Sequence, residues 1–241
     1  MVTAQWSPRT APVLAIGEDE TPVTESTDWD SAYRGDRPPP WSIGEPQPEL
    51  AALLDRPGAV RPEVLDAGCG HGELALAVAA RGHRVVGMDL SATALAAATA
   101  AAEKHNLPAT FVSADVTTLS GYDDRFHTIF DSGLLHALPA EHRDAYLAAM
   151  HRAAAPGARC YILAFAADAF PGADGRGPAR FSPESLRAVI GRHWQVAEIR
   201  AAYLQSAATR LPDGSAPPAA ATDDRGRLRI PGLLATAHKP A

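Results

Sequence analysis

The stretch Val64-Leu65-Asp66-Ala67-Gly68-Cys69-Gly70-His71-Gly72 constrains this chain most, because an apolar run leads through three closely spaced glycines into a helical pattern that starts at Glu73. Glycine removes the Cβ where backbone must turn tightly or approach a ligand, and a helix beginning there offers unpaired N–H groups. The spacing is G-x-G-x-G, with the third glycine one residue earlier than in the dinucleotide fingerprint G-x-G-x-x-G, which disfavours a nicotinamide cofactor. Taken alone, such a loop also reads as an ordinary strand-to-helix turn that binds nothing.

The same unit then repeats along the chain. Leu74, Ala77 and Val78 share one face of a helix over Glu73–Arg81 that Gly82 stops, and Arg84–Met88 is a second strand. Ser91 caps an alanine-rich helix that ends before Pro108, and Ala109–Ser113 is a third strand. Phe126–Phe130 is a fourth, followed by a helix over Ala140–Ala153 with Tyr146, Leu147 and Met150 inward. Pro156-Gly157 turns into a fifth strand, Ala158–Phe165. Alternation of this kind predicts an α/β fold with five parallel strands. Ala166–Arg180 reads as a loop over the ligand-binding edge, Ser182-Pro183 opens a further helix, and Trp194–Ala202 and Leu228–His238 are two more strands joined by a proline-containing connection over Ala207–Asp224. Residues 1 to about 25 have neither period and read as a mobile arm, after which Trp29, Tyr33 and Trp41 bracket a proline-rich segment.

Acidic residues recur at the strand ends. Asp89 closes the second strand, near the spacing of roughly 20 residues from the first at which a carboxylate holds ribose hydroxyls. Asp115, before Val116, closes the third, where a carboxylate can accept from the exocyclic amine of an adenine. Strand four ends Asp131-Ser132-Gly133-Leu134-Leu135-His136.

These four strand ends, over roughly residues 60 to 165, resemble the class I S-adenosylmethionine-dependent methyltransferases. The resemblance implies a Rossmann-like sheet of seven mostly parallel strands, the last antiparallel, with helices on both faces. It implies that Asp66, Gly68 and Gly70 line the methionine portion of the cofactor, Asp89 the ribose with Leu90 beside it, Asp115 and Val116 the adenine, and Asp131 the region of the methyl group. The lead-in Pro40-Trp41-Ser42-Ile43-Gly44-Glu45-Pro46-Gln47-Pro48 and the stretch Asp131–His136 are similar to the actinobacterial heterocyclic toxin methyltransferases, a thiopurine-methyltransferase-like group acting on quinolone-type heteroaromatics. That likeness implies a small aromatic or heteroaromatic acceptor and a role in detoxification. Residues 1–58 are expected to form an arm and helix covering the site, and residues 59–241 the cofactor-binding unit.

Each candidate has a plainer reading beside the chemical one. His136 lies near Asp131 at the active edge and titrates near neutrality, which suits proton handling, or it is a hydrogen-bonded packing histidine. Asp131 either sits beside the cofactor or caps the next turn with its side chain. Trp41 closes over cofactor and acceptor, or serves with Trp29 and Tyr33 as an apolar staple for an N-terminal helix. Asp30 either contacts the acceptor or is a solvated acid at a helix start. Methyl transfer is an in-line displacement, so alignment in a dry site supplies most of the catalysis, and an acidic hydroxyl needs no base.

Composition removes other classes. With 22 Lys and Arg against 28 Asp and Glu, net charge −6, nothing in the chain suits a phosphate backbone, so no nucleic-acid partner is expected. The two cysteines, Cys69 and Cys160, form neither a disulfide scaffold nor a zinc site, and no histidine pairing has metal-ligand spacing. No segment reads as a membrane span or signal-peptide core, so a cytoplasmic location is expected. Two rivals stay open: a methyltransferase acting on proteins, and a cofactor-binding module without catalysis.

Overall fold

Each strand–helix step of the sequence becomes one crossover of a twisted seven-stranded sheet in the computed structural model, which describes residues 28–35, 37–171, 177–208 and 221–241. The strands are β1 (Val64–Ala67), β2 (Val85–Asp89), β3 (Ala109–Ser113), β4 (Phe126–Ser132), β5 (Ala154–Phe165), β6 (Gln195–Ser206) and β7 (Leu228–His238). The helices are α1 (Trp29–Tyr33), α2 (Pro48–Leu54), α3 (Glu73–Ala80), α4 (Ala92–Lys104), α5 (Leu134–Ala137), α6 (Ala140–Ala153) and α7 (Pro183–Ile190).

Strand order is β3-β2-β1-β4-β5-β7-β6. The first five strands pair in parallel, and β7 runs antiparallel between β5 and β6, as the resemblance implied. The chain winds outward in opposite directions from β1 and from β4, so a switch point lies between them at the carboxyl ends of the strands, where open α/β sheets bind ligands.

Apolar side chains leave the sheet on both faces, which is why these strands read as continuous hydrophobic runs. Leu65, Ile129, Ile162 and Ala235 pack with Tyr146, Met150, Leu186 and Trp194 of the α6–α7 side. Val64, Phe130, Leu163 and Leu234 pack with Leu50 and Leu53 of α2 and Leu74 and Val78 of α3 on the other.

Three local expectations are corrected. The proline-rich stretch gives way at Pro48 to α2, because proline at the first helical position loses an N–H that would have no partner there, and Leu50, Leu53 and Leu54 are buried. Residues 134–137, read as loop, form the short helix α5 after Gly133 in the left-handed region. Pro156-Gly157 does not precede β5 but lies within it, where the register with β4 shifts between Phe126 and Thr128.

The segment before α2 is stitched to the end of β6: Gln47 Nε2 donates to Gln205 O at 2.9 Å, Gln205 N donates to Gln47 Oε1 at 2.6 Å, and Ala207 N donates to Pro40 O at 2.7 Å. The expected arm over residues 1 to about 25, residues 172–176 of the Ala166–Arg180 loop, and residues 209–220 of the last connection lie outside the described residues. Among the described residues no helix is long and apolar enough to cross a membrane, and no cluster of His, Cys, Asp and Glu is arranged to hold a metal.

Candidate active site

The loop after β1 lies at the switch point. Asp66, 1% exposed, accepts from Ala75 N at 3.0 Å through Oδ2, which ties the start of α3 to the strand. Its Oδ1 is buried with no partner. Burial, reinforced by the charges of Glu73, Asp89 and Asp131, pushes this carboxyl up to about 7. Gly68 and Gly70 have φ of +68° and +51°, and a Cβ would stand 3.1 Å from Leu134 at the first and 2.6 Å from the Tyr33 hydroxyl at the second. Backbone of the loop is therefore approached closely from both sides.

Asp89 bridges two backbone segments. Its Oδ2 accepts from Gly70 N at 2.8 Å and its Oδ1 from Ser91 N at 2.9 Å, so the glycine loop and the start of α4 share one carboxylate. Leu90 next to it is 57% exposed, an unusual position for a leucine beside a buried strand. At the end of β3, Asp115 accepts from Thr117 N at 2.8 Å and Thr117 Oγ1 at 2.7 Å, while Val116 turns into the core. Asp66, Asp89 and Asp115 thus stand at three adjoining strand ends.

Asp131, at the end of β4, is fully buried and caps α5. It accepts from Leu134 N at 2.7 Å, from Leu135 N at 3.1 Å and from the Tyr146 hydroxyl at 2.9 Å. Burial raises its carboxyl to about 6, and these donors hold it from rising further. Its oxygens are spent on the turn, as the plainer reading described.

His136 sits on α5 with its ring stacked on Phe165, centroids 4.0 Å apart. Phe165 N donates to His136 Nδ1 at 3.3 Å. An amide N–H can only donate to a lone pair, so the imidazole is neutral with its proton on Nε2. Burial and the charge of Arg143 depress its pKa to about 3. In this arrangement the ring is an Nε2–H donor.

The aromatic segment lies over the loop. Trp41 Nε1 donates to the Tyr33 hydroxyl at 3.0 Å, and Trp29 and Tyr33 each meet Trp41 edge-on with centroids 6.2 Å apart. Tyr33 also meets His71, whose Nδ1 lies 3.0 Å from Ser42 Oγ. Asp30 anchors this group: it accepts from Ser91 Oγ, Thr93 N and Thr93 Oγ1 at the start of α4, and from Arg34 Nε on α1. These bonds hold its carboxyl well below the usual range. Asp30 is therefore a hydrogen-bonded anchor in this structure, with 19% of its side chain still exposed.

The roles of four residues here escaped the sequence reading. Tyr146 was recognised as inward-facing but not as the partner of Asp131, since helical period reports a face and not a hydrogen bond. Ser42 and His71 were on the page, yet only folding brings them together across 29 positions. Arg143 carried no motif at all.

The residues at the switch point fit a cofactor with a cationic amino group, a ribose and an adenine. A buried carboxylate oxygen without a partner among the described residues lies at the end of β1, the glycine loop lacks the Cβ atoms that would block close approach to its backbone, and an exposed leucine flanks the next carboxylate. A cavity of about 610 Å³ lies instead at the opposite ends of the strands beside Arg159, Tyr161 and His238, away from these acids.

Comparisons with known proteins agree with this geometry. Residues 64–157 match a family model described as a methyltransferase domain. The chain is 41% identical over 220 residues to the 2-heptyl-1-hydroxyquinolin-4(1H)-one methyltransferase of Mycobacteroides abscessus, covering 88% of this chain and 96% of that protein. Among solved structures, one determined for the conversion of a disulfide bond into a thioacetal group during echinomycin biosynthesis is 33% identical with a TM-score of 0.72, covering 88% of this chain and 90% of the other. The 1,6-didemethyltoxoflavin-N1-methyltransferase of Burkholderia thailandensis, solved with 1,6-didemethyltoxoflavin and S-adenosylhomocysteine, shares the fold at 22% identity and a TM-score of 0.59, covering 80% of this chain and 78% of that one. Strand order, glycine loop and near full-length likeness together make this chain a member of the class I S-adenosylmethionine-dependent small-molecule methyltransferases.

Proposed function

We propose that this enzyme transfers the methyl group of S-adenosylmethionine to a hydroxyl oxygen, or a ring nitrogen or sulfur, of a small heteroaromatic such as a hydroxyquinolone. The observation that carries this reading is the extent of the likeness to the Mycobacteroides abscessus enzyme, which runs over 220 residues and so extends well beyond residues 64–157 into the segments that would meet an acceptor. Cofactor machinery alone would not need that length.

In this reading Asp66, Gly68 and Gly70 line the methionine portion, Asp89 takes the ribose hydroxyls that its present bonds to Gly70 and Ser91 prefigure, and Leu90, Asp115 and Val116 flank the adenine. Bound there, S-adenosylmethionine supplies a methyl group on a cationic sulfur that an electron-rich acceptor atom displaces in line. Residues 28–58 act as a cover over the cofactor-binding unit, with Trp41 holding Tyr33 above the loop and Asp30 fastening the cover to α4 rather than touching the acceptor. Asp131 shapes the α5 turn. His136 keeps its proton on Nε2 and donates, so the acceptor ionises without it. Excluding water from this region matters because desolvation strengthens the alignment of a charged nucleophile with the methyl group.

Detoxification of heteroaromatic compounds in the cytoplasm is the biological setting we propose, in keeping with two free, buried cysteines and a net charge of −6. The test is mass spectrometry of the purified chain with S-adenosylmethionine and a panel of 2-heptyl-1-hydroxyquinolin-4(1H)-one, phenols, thiopurines and short peptides. Methylated heteroaromatic is expected; transfer to peptides alone would replace the acceptor class, and cofactor retention with no transfer would leave a binding module.

A further inference from the structure

A half-buried cation beside His136 has no counter-ion among the described residues. Arg143 lies in the first turn of α6, its Nε donating to Leu138 O at 3.0 Å and its guanidinium carbon 5.6 Å from the Phe181 ring centroid. Among the described residues no carboxylate stands within ion-pair distance of it. Arg227, which is also well covered, is by contrast held by Glu45 at 2.5 Å and Asp223 at 2.9 Å. Removing an arginine from water without pairing it is unfavourable, and burial accordingly pulls the Arg143 pKa down. A second half-buried arginine, Arg180, bonds among the described residues the carbonyl of Phe170, at 2.9 Å.

Aromatic rings lie between these cations in the chain's own hydrogen-bonded framework. Ala179 N donates to His136 O at 2.9 Å and Phe181 N to Phe165 O at 3.0 Å, so the segment that carries Arg180 and Phe181 is tied to α5 and to the tip of β5. Phe165 carries the His136 ring on one side and meets Phe170 edge-on at 4.9 Å. Among the described residues the titratable groups that act on Arg143 or feel its charge are Glu141 on its own helix and the neutral His136 on α5, and the Phe181 ring beneath it also lines, with Asp168, a cavity of about 320 Å³.

We propose that Arg143 recognises the acceptor as an anion: the enzyme takes a flat heteroaromatic whose acidic hydroxyl is already ionised, with its ring against the Phe165 and Phe181 cluster and its oxyanion paired with the Arg143 guanidinium. This rests on the heteroaromatic acceptor proposed above and adds the ionisation state that the site selects. The step balances without a base. The acceptor's proton leaves to water before binding, an oxyanion electron pair forms the new O–CH₃ bond, and the C–S bond breaks with its pair retained by sulfur, so both charges are consumed. A planar guanidinium suits this role because its fork donates two parallel hydrogen bonds and stacks on aromatic faces.

Calorimetry on the full chain saturated with S-adenosylhomocysteine tests it, using 2-heptyl-1-hydroxyquinolin-4(1H)-one and the same quinolone lacking the N-hydroxyl, from pH 5 to pH 8. Affinity for the hydroxylated probe is expected to climb as that probe ionises, while the other probe shows no such rise. R143Q is expected to abolish the rise, leaving the hydroxylated probe at least about ten-fold weaker at pH 8, with S-adenosylhomocysteine binding unchanged, and R143K to keep most of it. Equal wild-type affinity at both pH values, loss of both probes alike in R143Q, or no binding of either probe overturns the proposal. Should R143Q not fold, R143K and the wild-type comparison decide. Methyl transfer measured on the same proteins and probes, with S-adenosylmethionine in place of S-adenosylhomocysteine, separates the two claims: a pH-dependent rise without transfer removes the acceptor proposed above and leaves anion recognition standing.

Discussion

The Asp30 carboxylate accepts a 2.6 Å hydrogen bond from the Ser91 hydroxyl, so a five-residue helix near the start of the chain is fastened to the residue that caps α4. Ser91 in turn donates its backbone N–H to Asp89, which also holds the glycine loop. One chain of bonds therefore runs from the aromatic cover to the strand end proposed to hold ribose.

Asp30→Ala should release this cover without harming the core, because α1 buries none of its own residues. The expected result is binding of S-adenosylhomocysteine weaker by about ten-fold in calorimetry with a nearly unchanged thermal midpoint. Since Asp30 is held ionised far below the usual carboxylate range, its contribution is complete above about pH 4 and lost only in stronger acid. The wild-type to variant ratio should therefore be flat from pH 5 to pH 8. A large fall in the midpoint instead would make Asp30 a determinant of the whole fold.

Asp66 should make stability fall as pH rises. Its folded pKa of about 7 lies above the unfolded 3.8, so the stabilising protonated form is fully present below about pH 4 and is lost as pH climbs through 7. Asp66→Asn keeps an oxygen for Ala75 N and removes the charge. Urea unfolding should show the variant's stability relative to wild type growing by about 2 kcal/mol between pH 5 and pH 8. A difference that does not change with pH would mean that Asp66 is ionised at little cost.

His136→Asn tests whether proton transfer passes through this ring. Asparagine can still accept from Phe165 N, so a donor or packing role predicts a loss within about ten-fold in kcat/KM, whereas a general base contributes typically about 10²–10⁴. With its pKa depressed to about 3, His136 should add no inflection to the rate between pH 5 and pH 8. An inflection near pH 6.5 that disappears in the variant would restore the base.

Gly70→Ala should separate the cover from the loop. The new Cβ would stand 2.6 Å from the Tyr33 hydroxyl, which Trp41 holds in place, and a φ of +51° strains any L side chain. The expected outcome is a stability loss of about 1–2 kcal/mol in urea together with a raised KM for S-adenosylmethionine. If Trp41→Phe, combined with Gly70→Ala, restores KM, the collision with Tyr33 is the cause.

Much of the sheet was legible because its signals are local. β7 and α6 were bounded to the residue, since a run of apolar side chains between glycine, proline and acidic breaks is read by neighbours in sequence. Ser91 and Ser182 were likewise visible as caps, because a capping side chain serves an N–H only a few positions away. α5 was missed because four residues carry no period, and α2 because a proline that starts a helix looks like one that breaks a turn.

Residue types at the strand ends, and with them the cofactor class, were determined by sequence alone: three glycines after one strand and a carboxylate at each of the next three ends require only chain order to fall at one edge of a parallel sheet. What each of those carboxylates and rings does was decided by tertiary structure. Asp131 became a cap when Tyr146 and the α5 amides reached it, His136 became neutral when an amide of β5 took its lone pair, and Arg143 came to bond the carbonyl of Leu138 rather than any carboxylate among the described residues. Protonation and charge pairing depend on which groups stand within a few ångströms and how much water is excluded, and that distance is set by packing between segments far apart in the chain.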